Sequence, residues 1–286
     1  MSQGYAWQST ARRLCLYRNA RHVRTPGIPG GRGPQVRHRG DAQAAGNKEV
    51  YVSTPAPGLL EPETPFFCSW SGGKDCCLAF QLSVEAGARP AALFTVMDET
   101  GARSHSHGLS LASLQVQADA LGLPLVVRNA SWAAYEDAFL DGLAEIRAMG
   151  IVDGVFGDMT VEGHPEWVAH RTWVERVALT AGVKVHLPLW DMGGEAVLVS
   201  QLQHHIHAVI VATRDAAVSQ AFLGRTLDET CIDELRAAGC DPTGEGGELH
   251  TVVTGMPLFA FAPRVTVGAV TAHEGCHFVE VRLERP

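Results

Sequence analysis

Residues 69–76 read Ser-Trp-Ser-Gly-Gly-Lys-Asp-Cys, and residues 244–251 read Gly-Glu-Gly-Gly-Glu-Leu-His-Thr. The first stretch has the chemistry of a phosphate turn. Gly72 and Gly73 lack a Cβ, so the backbone there can approach an anion closely. Ser69 and Ser71 offer hydroxyl donors, and Lys74 can neutralise charge building on a departing pyrophosphate. Asp75 suits a Mg²⁺ ion bridging phosphates or the start of a helix. It is not the usual P-loop, because an acid rather than Ser or Thr follows the lysine. The second stretch is a flexible acidic loop. Glu245 and Glu248 could hold Mg²⁺, orient an amine or act as a base, and His250 titrates near neutrality and could move a proton. Read alone, the first stretch is equally an ordinary strand-to-helix turn, and the second is better read as a solvated acidic turn.

The flanking elements decide between these readings. Residues 66–70 (FFCSW) form a short apolar run ahead of the glycines, and 74–87 have helical spacing behind them. A turn leaving the first strand of a parallel sheet and opening a helix lies where open α/β sheets bind ligands, and the helix dipole favours an anion there. The alternation continues with strands at 91–97, 123–128, 154–157 and 183–190, and helices at 111–122, 135–150 and 165–182. This rhythm predicts a parallel five-stranded α/β sheet with helices on both faces, Rossmann-like in kind. After Trp190 it loosens. A strand at 207–214, a helix at 227–239, a strand at 251–254 and a hairpin over 265–283 predict a smaller α+β domain. The expected division is 1–64 as a disordered extension, 65–192 as the nucleotide domain and 193–286 as the substrate-side domain.

The extension is rich in Gly, Pro and Arg and has no apolar periodicity. Its Arg-rich start has the look of an organelle transit peptide, but Gly and Pro spoil the amphipathic helix this needs. A dispensable tail or a start codon placed too far upstream accounts for it as well. The charge is uneven: residues 1–65 carry nine Lys and Arg against four Asp and Glu, and the remainder 14 against 27. So acidic a body disfavours nucleic-acid partners. The seven cysteines form no CxxC pair and argue against a disulfide framework, which with the absence of an apolar run of about 18 residues predicts a cytoplasmic protein off the membrane. His105 and His107 lie two apart without a third ligand nearby, so a zinc reading is set aside. Arg103 and His107 should still face the cleft and could touch an anionic substrate. Trp132, Trp167 and Trp173 read as helix packing rather than as a platform for bases.

SGGKDC resembles the PP-loop of the N-type ATP pyrophosphatases, which split ATP between its α and β phosphates and adenylate a substrate. GEGGELHT resembles the GEGGE-x-HT signature of the diphthine–ammonia ligase family. VFGDM at 155–159, PLW at 188–190 and FLGRTLD at 222–228 fall in the order that family shows, so the resemblance covers about residues 66–262. It implies ATP on Ser71–Cys76, with Gly157 and Asp158 at the nucleotide cleft and Asp75 and Asp158 as Mg²⁺ contacts. Gly244, Glu245, Gly246, Gly247, Glu248, His250 and Thr251 would lie near the acceptor or the ATP. It implies an ATP-dependent ligase that adenylates a carboxylate, releases pyrophosphate and forms an amide with ammonia; a homodimer is allowed. The rivals are tRNA sulfur transfer through the same adenylation and a nucleotide-binding regulator without turnover. A composition rich in Ala, Gly, Val and Arg fits a GC-rich bacterial genome, in which a metabolite carboxylate rather than diphthine would be the acceptor. Cys76 departs from the serine usual at its position, and a thiol is a weaker donor.

Overall fold

The computed structural model of the chain describes residues 58–105, 107–160, 166–215, 217–273 and 275–286; most of the expected 1–64 extension lies outside them. Strands β1 (Pro65–Ser69), β2 (Arg89–Met97), β3 (Leu125–Asn129), β4 (Asp153–Val155) and β5 (Lys184–His186) form one sheet in the order β3-β2-β1-β4-β5, all parallel. The chain first winds outward through β2 and β3, then crosses to the other side of β1 for β4. The C-terminal ends of β1 and β4 therefore flank the point where strand order reverses, the place such sheets leave a crevice.

Helices α1 (Lys74–Glu85), α2 (Leu111–Leu121), α3 (Tyr135–Ala148) and α4 (Glu166–Thr180) cover both faces, as expected. The period of two in β1 assigns the faces. Phe66, Cys68 and Trp70 bury against α1 and α2, whereas Phe67 joins Phe94, Phe139, Leu143 and Val177 on the side of α3 and α4. The strand expected over 183–190 stops at His186. Pro188 has no N–H to give, and Leu187–Trp190 closes into a turn with Trp190 N–H on the Leu187 carbonyl at 3.1 Å.

The C-terminal region holds a second, antiparallel sheet of β6 (His207–Arg214), β7 (Leu249–Gly255), β8 (Arg264–His273) and β9 (Cys276–Glu284), in the order β7-β6-β9-β8. The hairpin read from the sequence is β8–β9. Helices α5 (Gly194–Gln203) and α6 (Glu229–Ala237) complete the region. Helix α5 has no counterpart among the elements expected from the sequence, because it opens from Gly193 at φ 79° with no side-chain cap and its start carries no signal. The two sheets share one core, since Val209, Val252, Val253 and Val281 of the second pack in the same cluster as Phe66 and Leu93 of the first. Cys68, Cys76, Cys77, Cys231 and Cys240 are free thiols and Cys276 is disulfide-bonded. Among the described residues no helix is long and apolar enough to cross a membrane.

Candidate active site

The turn after β1 is held open by backbone geometry and closed by side chains from far along the chain. Gly72 sits at φ 77°, which turns its carbonyl away from the crevice to accept Val253 N–H at 2.9 Å and Gln117 Nε2 at 3.1 Å. Gln117 is fully buried, takes Trp70 Nε1 at 2.9 Å on its oxygen and gives a second bond to the Val253 carbonyl at 2.7 Å. One side chain thus fastens the turn to β7. Gly73 is the N-cap of α1 and supplies no side-chain cap of its own. The first amide of the helix, Lys74 N–H, is met instead by Thr251 Oγ1 at 3.2 Å. Thr251 also gives its carbonyl to His107 Nδ1 at 2.6 Å; a carbonyl only accepts, so this ring nitrogen carries the proton. The two sequence motifs, 177 residues apart at this contact, form one structure.

They face a cavity of about 840 Å³, within the range of small-molecule sites. Every residue singled out in the sequence lines it except Gly72, Gly73, Arg103 and Glu248. The two glycines lie behind the wall, where a Cβ on Gly72 would come within 2.6 Å of Gln117 Oε1 and one on Gly73 within 2.1 Å of the His107 ring. Arg103 points elsewhere: it pairs with Glu280 at 3.6 Å and donates to the Gly108 carbonyl at 3.2 Å. Glu248 folds under the loop toward Arg214 at 3.4 Å, and its Oε2 is buried without a hydrogen-bond partner among the described residues. Its place is beneath the acidic loop rather than on the cavity wall. Gly157 is there for space: a Cβ would meet the backbone nitrogen of Cys76 at 2.6 Å. The end of β4 can lie against the start of α1 only without a side chain.

Charge gathers at Lys74, which is 5 % exposed. Its Nζ contacts Asp75 Oδ1 at 2.9 Å, Asp75 Oδ2 at 2.7 Å and Glu245 Oε1 at 3.5 Å. Burial pulls the Lys74 ammonium down, but the two carboxylates override it and leave it above its ordinary value. One cation cannot serve two acids equally. Burial, then the charge of Asp75, pushes Glu245 up to about 8 against the pull of Lys74. The expectation that His250 titrates near neutrality is overturned. Burial first, then His107, Lys74 and Arg214, depress it to about 3, so the ring is neutral at pH 7. Its centroid stands 5.0 Å from that of His107, which burial also depresses. Cys76 is buried, accepts from Ser71 Oγ at 3.3 Å and donates to the Gly73 carbonyl at 3.3 Å. Burial raises its thiol, yet bonds from Cys77, Ser71 and the turn's amides bring it below its ordinary value. At 4 % exposure it braces the turn rather than presenting a nucleophile.

Asp158 also lines the cavity and pairs with His170 Nε2 at 3.1 Å. Burial lowers His170, but Asp158 more than compensates and holds it above its ordinary value. Beyond this pair the cavity becomes aromatic. Trp132 and Trp173, read from sequence as packing, do pack against Tyr135 at 5.3 and 5.9 Å, but both also form cavity wall. The side chain of Trp167 is outside the described ones. Sequence reasoning missed Gln117, Gln201, Arg214 and His170. Gln117 left a signal, a polar residue inside the apolar stripe of LASLQVQADALG. Arg214 left a weaker one as the single charge ending HAVIVATR. Gln201 left none, because its helix had not been read.

Residues 66–185 match the model of the diphthamide synthase N-terminal domain, and residues 195–282 match that of the diphthamide synthase C-terminal domain. No curated protein matches the chain. The first matched stretch contains the phosphate turn and the second contains the acidic loop docked on it. The chain belongs to the diphthamide synthase family, an enzyme family of the PP-loop superfamily.

Proposed function

We propose that this protein is an ATP-dependent ligase that adenylates a carboxylate and converts it to an amide with ammonia. The observation that supports the reading is the contact of Lys74 with both Asp75 and Glu245, which brings the phosphate turn and the acidic loop together. The ATP phosphates would lie on Ser71–Asp75 at the N-terminus of α1, where amides and dipole favour anions. The aromatic end of the cavity offers faces on which the purine can stack.

A carboxylate oxygen of the acceptor attacks the α-phosphorus. The α–β anhydride P–O bond breaks, and pyrophosphate leaves with the electron pair while Lys74 balances its charge. Ammonia nitrogen then attacks the acyl carbon, the C–O bond to AMP breaks, and the nitrogen loses a proton to Glu245. A carboxyl near 8 suits that task, since it ionises close to working pH and is a stronger base than an ordinary carboxylate. Neutral His250 can orient the nucleophile without repelling it. Asp75 and Asp158 both line the cavity and are the carboxylates that would hold a Mg²⁺ ion together with the phosphates, since among the described residues no cluster of three protein ligands forms. There the ion would supply charge neutralisation to the phosphates.

The test is release of AMP and pyrophosphate from ATP in the presence of ¹⁵N-ammonium and candidate carboxylates, with the label appearing in an amide. Asp75→Asn should lower AMP release by about 100-fold or more. Unchanged turnover in that variant removes the phosphate-turn assignment, and ATP binding without AMP from any acceptor removes the ligase reading.

A further inference from the structure

Gln201 lies near the C-terminal end of α5, in the half of the chain remote from the phosphate turn, and is 4 % exposed. Its amide Nε2 donates to Asp75 Oδ1 at 2.8 Å. An ammonium has three N–H bonds, and in Lys74 they are directed at Asp75 Oδ1, Asp75 Oδ2 and Glu245 Oε1. Any contact between Lys74 and a phosphate must withdraw at least one of them. The Gln201 bond is the one that need not change, because its donor is neutral, buried and carried on another element. Helix α5 is itself fixed against α1 close by, through His204 Nε2 and Glu85 Oε2 at 3.1 Å. A neutral amide contributes little charge; it contributes direction.

We propose that Gln201 is a positioning residue of the nucleotide site, which keeps the Asp75 carboxylate turned toward the divalent cation of Mg·ATP when Lys74 engages the phosphates. This rests on the ATP reading above. Partners that orient a metal-binding carboxylate typically change metal affinity by about 10- to 100-fold.

The experiment measures ATP binding to the full chain by calorimetry across a Mg²⁺ series and in EDTA, beside thermal melting. In Gln201→Leu, similar in size but without the donor, the Mg²⁺ concentration giving half-maximal enhancement of ATP binding should rise about 10-fold or more. Affinity in EDTA and the melting temperature should stay near wild type. Gln201→Glu keeps the shape of the side chain and serves the same comparison if the leucine variant fails to fold. Identical Mg²⁺ dependence in wild type and both variants overturns the inference. So does an equal loss in EDTA, which would mark a purely structural role. Wild-type protein that binds no ATP at any Mg²⁺ concentration overturns the ATP reading itself, and the inference with it.

Discussion

At the scale of residues, the imbalance of two acids around one ammonium falls on Glu245, and this has a thermodynamic signature. Its folded value of about 8 lies above the ordinary 4.5, so between those pH values the folded state holds a proton that the unfolded state has lost. Stability then falls as pH rises through that window. His250 acts in the opposite sense. Its folded value of about 3 lies below the ordinary 6.5, so stability falls as pH drops from 6.5 toward 3. From 6.5 to 8 only the first of these two operates. Glu245→Gln should therefore flatten the decline in melting temperature over pH 6.5–8, and His250→Asn should soften the acid limb. Calorimetric melts of both variants across pH check this; a wild-type-like alkaline decline in the Gln variant would contradict the buried, protonated carboxyl. The same carboxyl predicts that AMP release climbs as pH passes through about 8 and that Glu245→Gln lacks this climb.

At the scale of elements, the close approach of β4 to α1 is the tightest constraint on the site. Gly157→Ala places a methyl within 2.6 Å of the Cys76 backbone nitrogen, and neither backbone can yield without moving the helix that opens the phosphate turn. A destabilisation of about 1–3 kcal/mol is expected, with weakened ATP binding at temperatures where the variant is still folded. Denaturant unfolding and nucleotide titration measure the two effects separately. Strands and helices of the first sheet were legible because their periods are strong and glycines end the helices, as Gly87 and Gly122 do at φ 92° and 68°. Helix α5 was illegible for the complementary reason: no Ser, Thr, Asp or Asn caps its start. Candidate residues within the two motifs were legible because glycine and charge together are unusual. Their proton affinities were not, since the depressed ring of His250 depends on burial and on three distant charges that no short stretch contains.

At the scale of the whole molecule, Gln117 adds a buried polar tie between the two sheets to the core they share and to the bonds of Val253 and Thr251 on the phosphate turn. Gln117→Leu would leave the Trp70 indole without the bond it now has and take one bond each from the Gly72 and Val253 carbonyls, of which the Gly72 carbonyl keeps Val253 N–H. A buried group left unpaired costs about 1–3 kcal/mol, so a loss of about that size is expected, read from the midpoint of urea unfolding. Hydrogen exchange should quicken at Val253 N–H and in the turn ahead of α1. Unaltered protection there would show that the sheets hold together without this side chain.

The bond from Thr251 Oγ1 to the first amide of α1 also sets an order in time. A ribosome delivers Lys74 long before Thr251, and at about 5–20 residues per second the interval is about 10–35 s. During that interval the nascent phosphate turn lacks the hydroxyl that caps its helix, the amide that takes the Gly72 carbonyl and the carboxylate that shares Lys74. The contacts that complete the phosphate turn therefore become available only once β7 has been made.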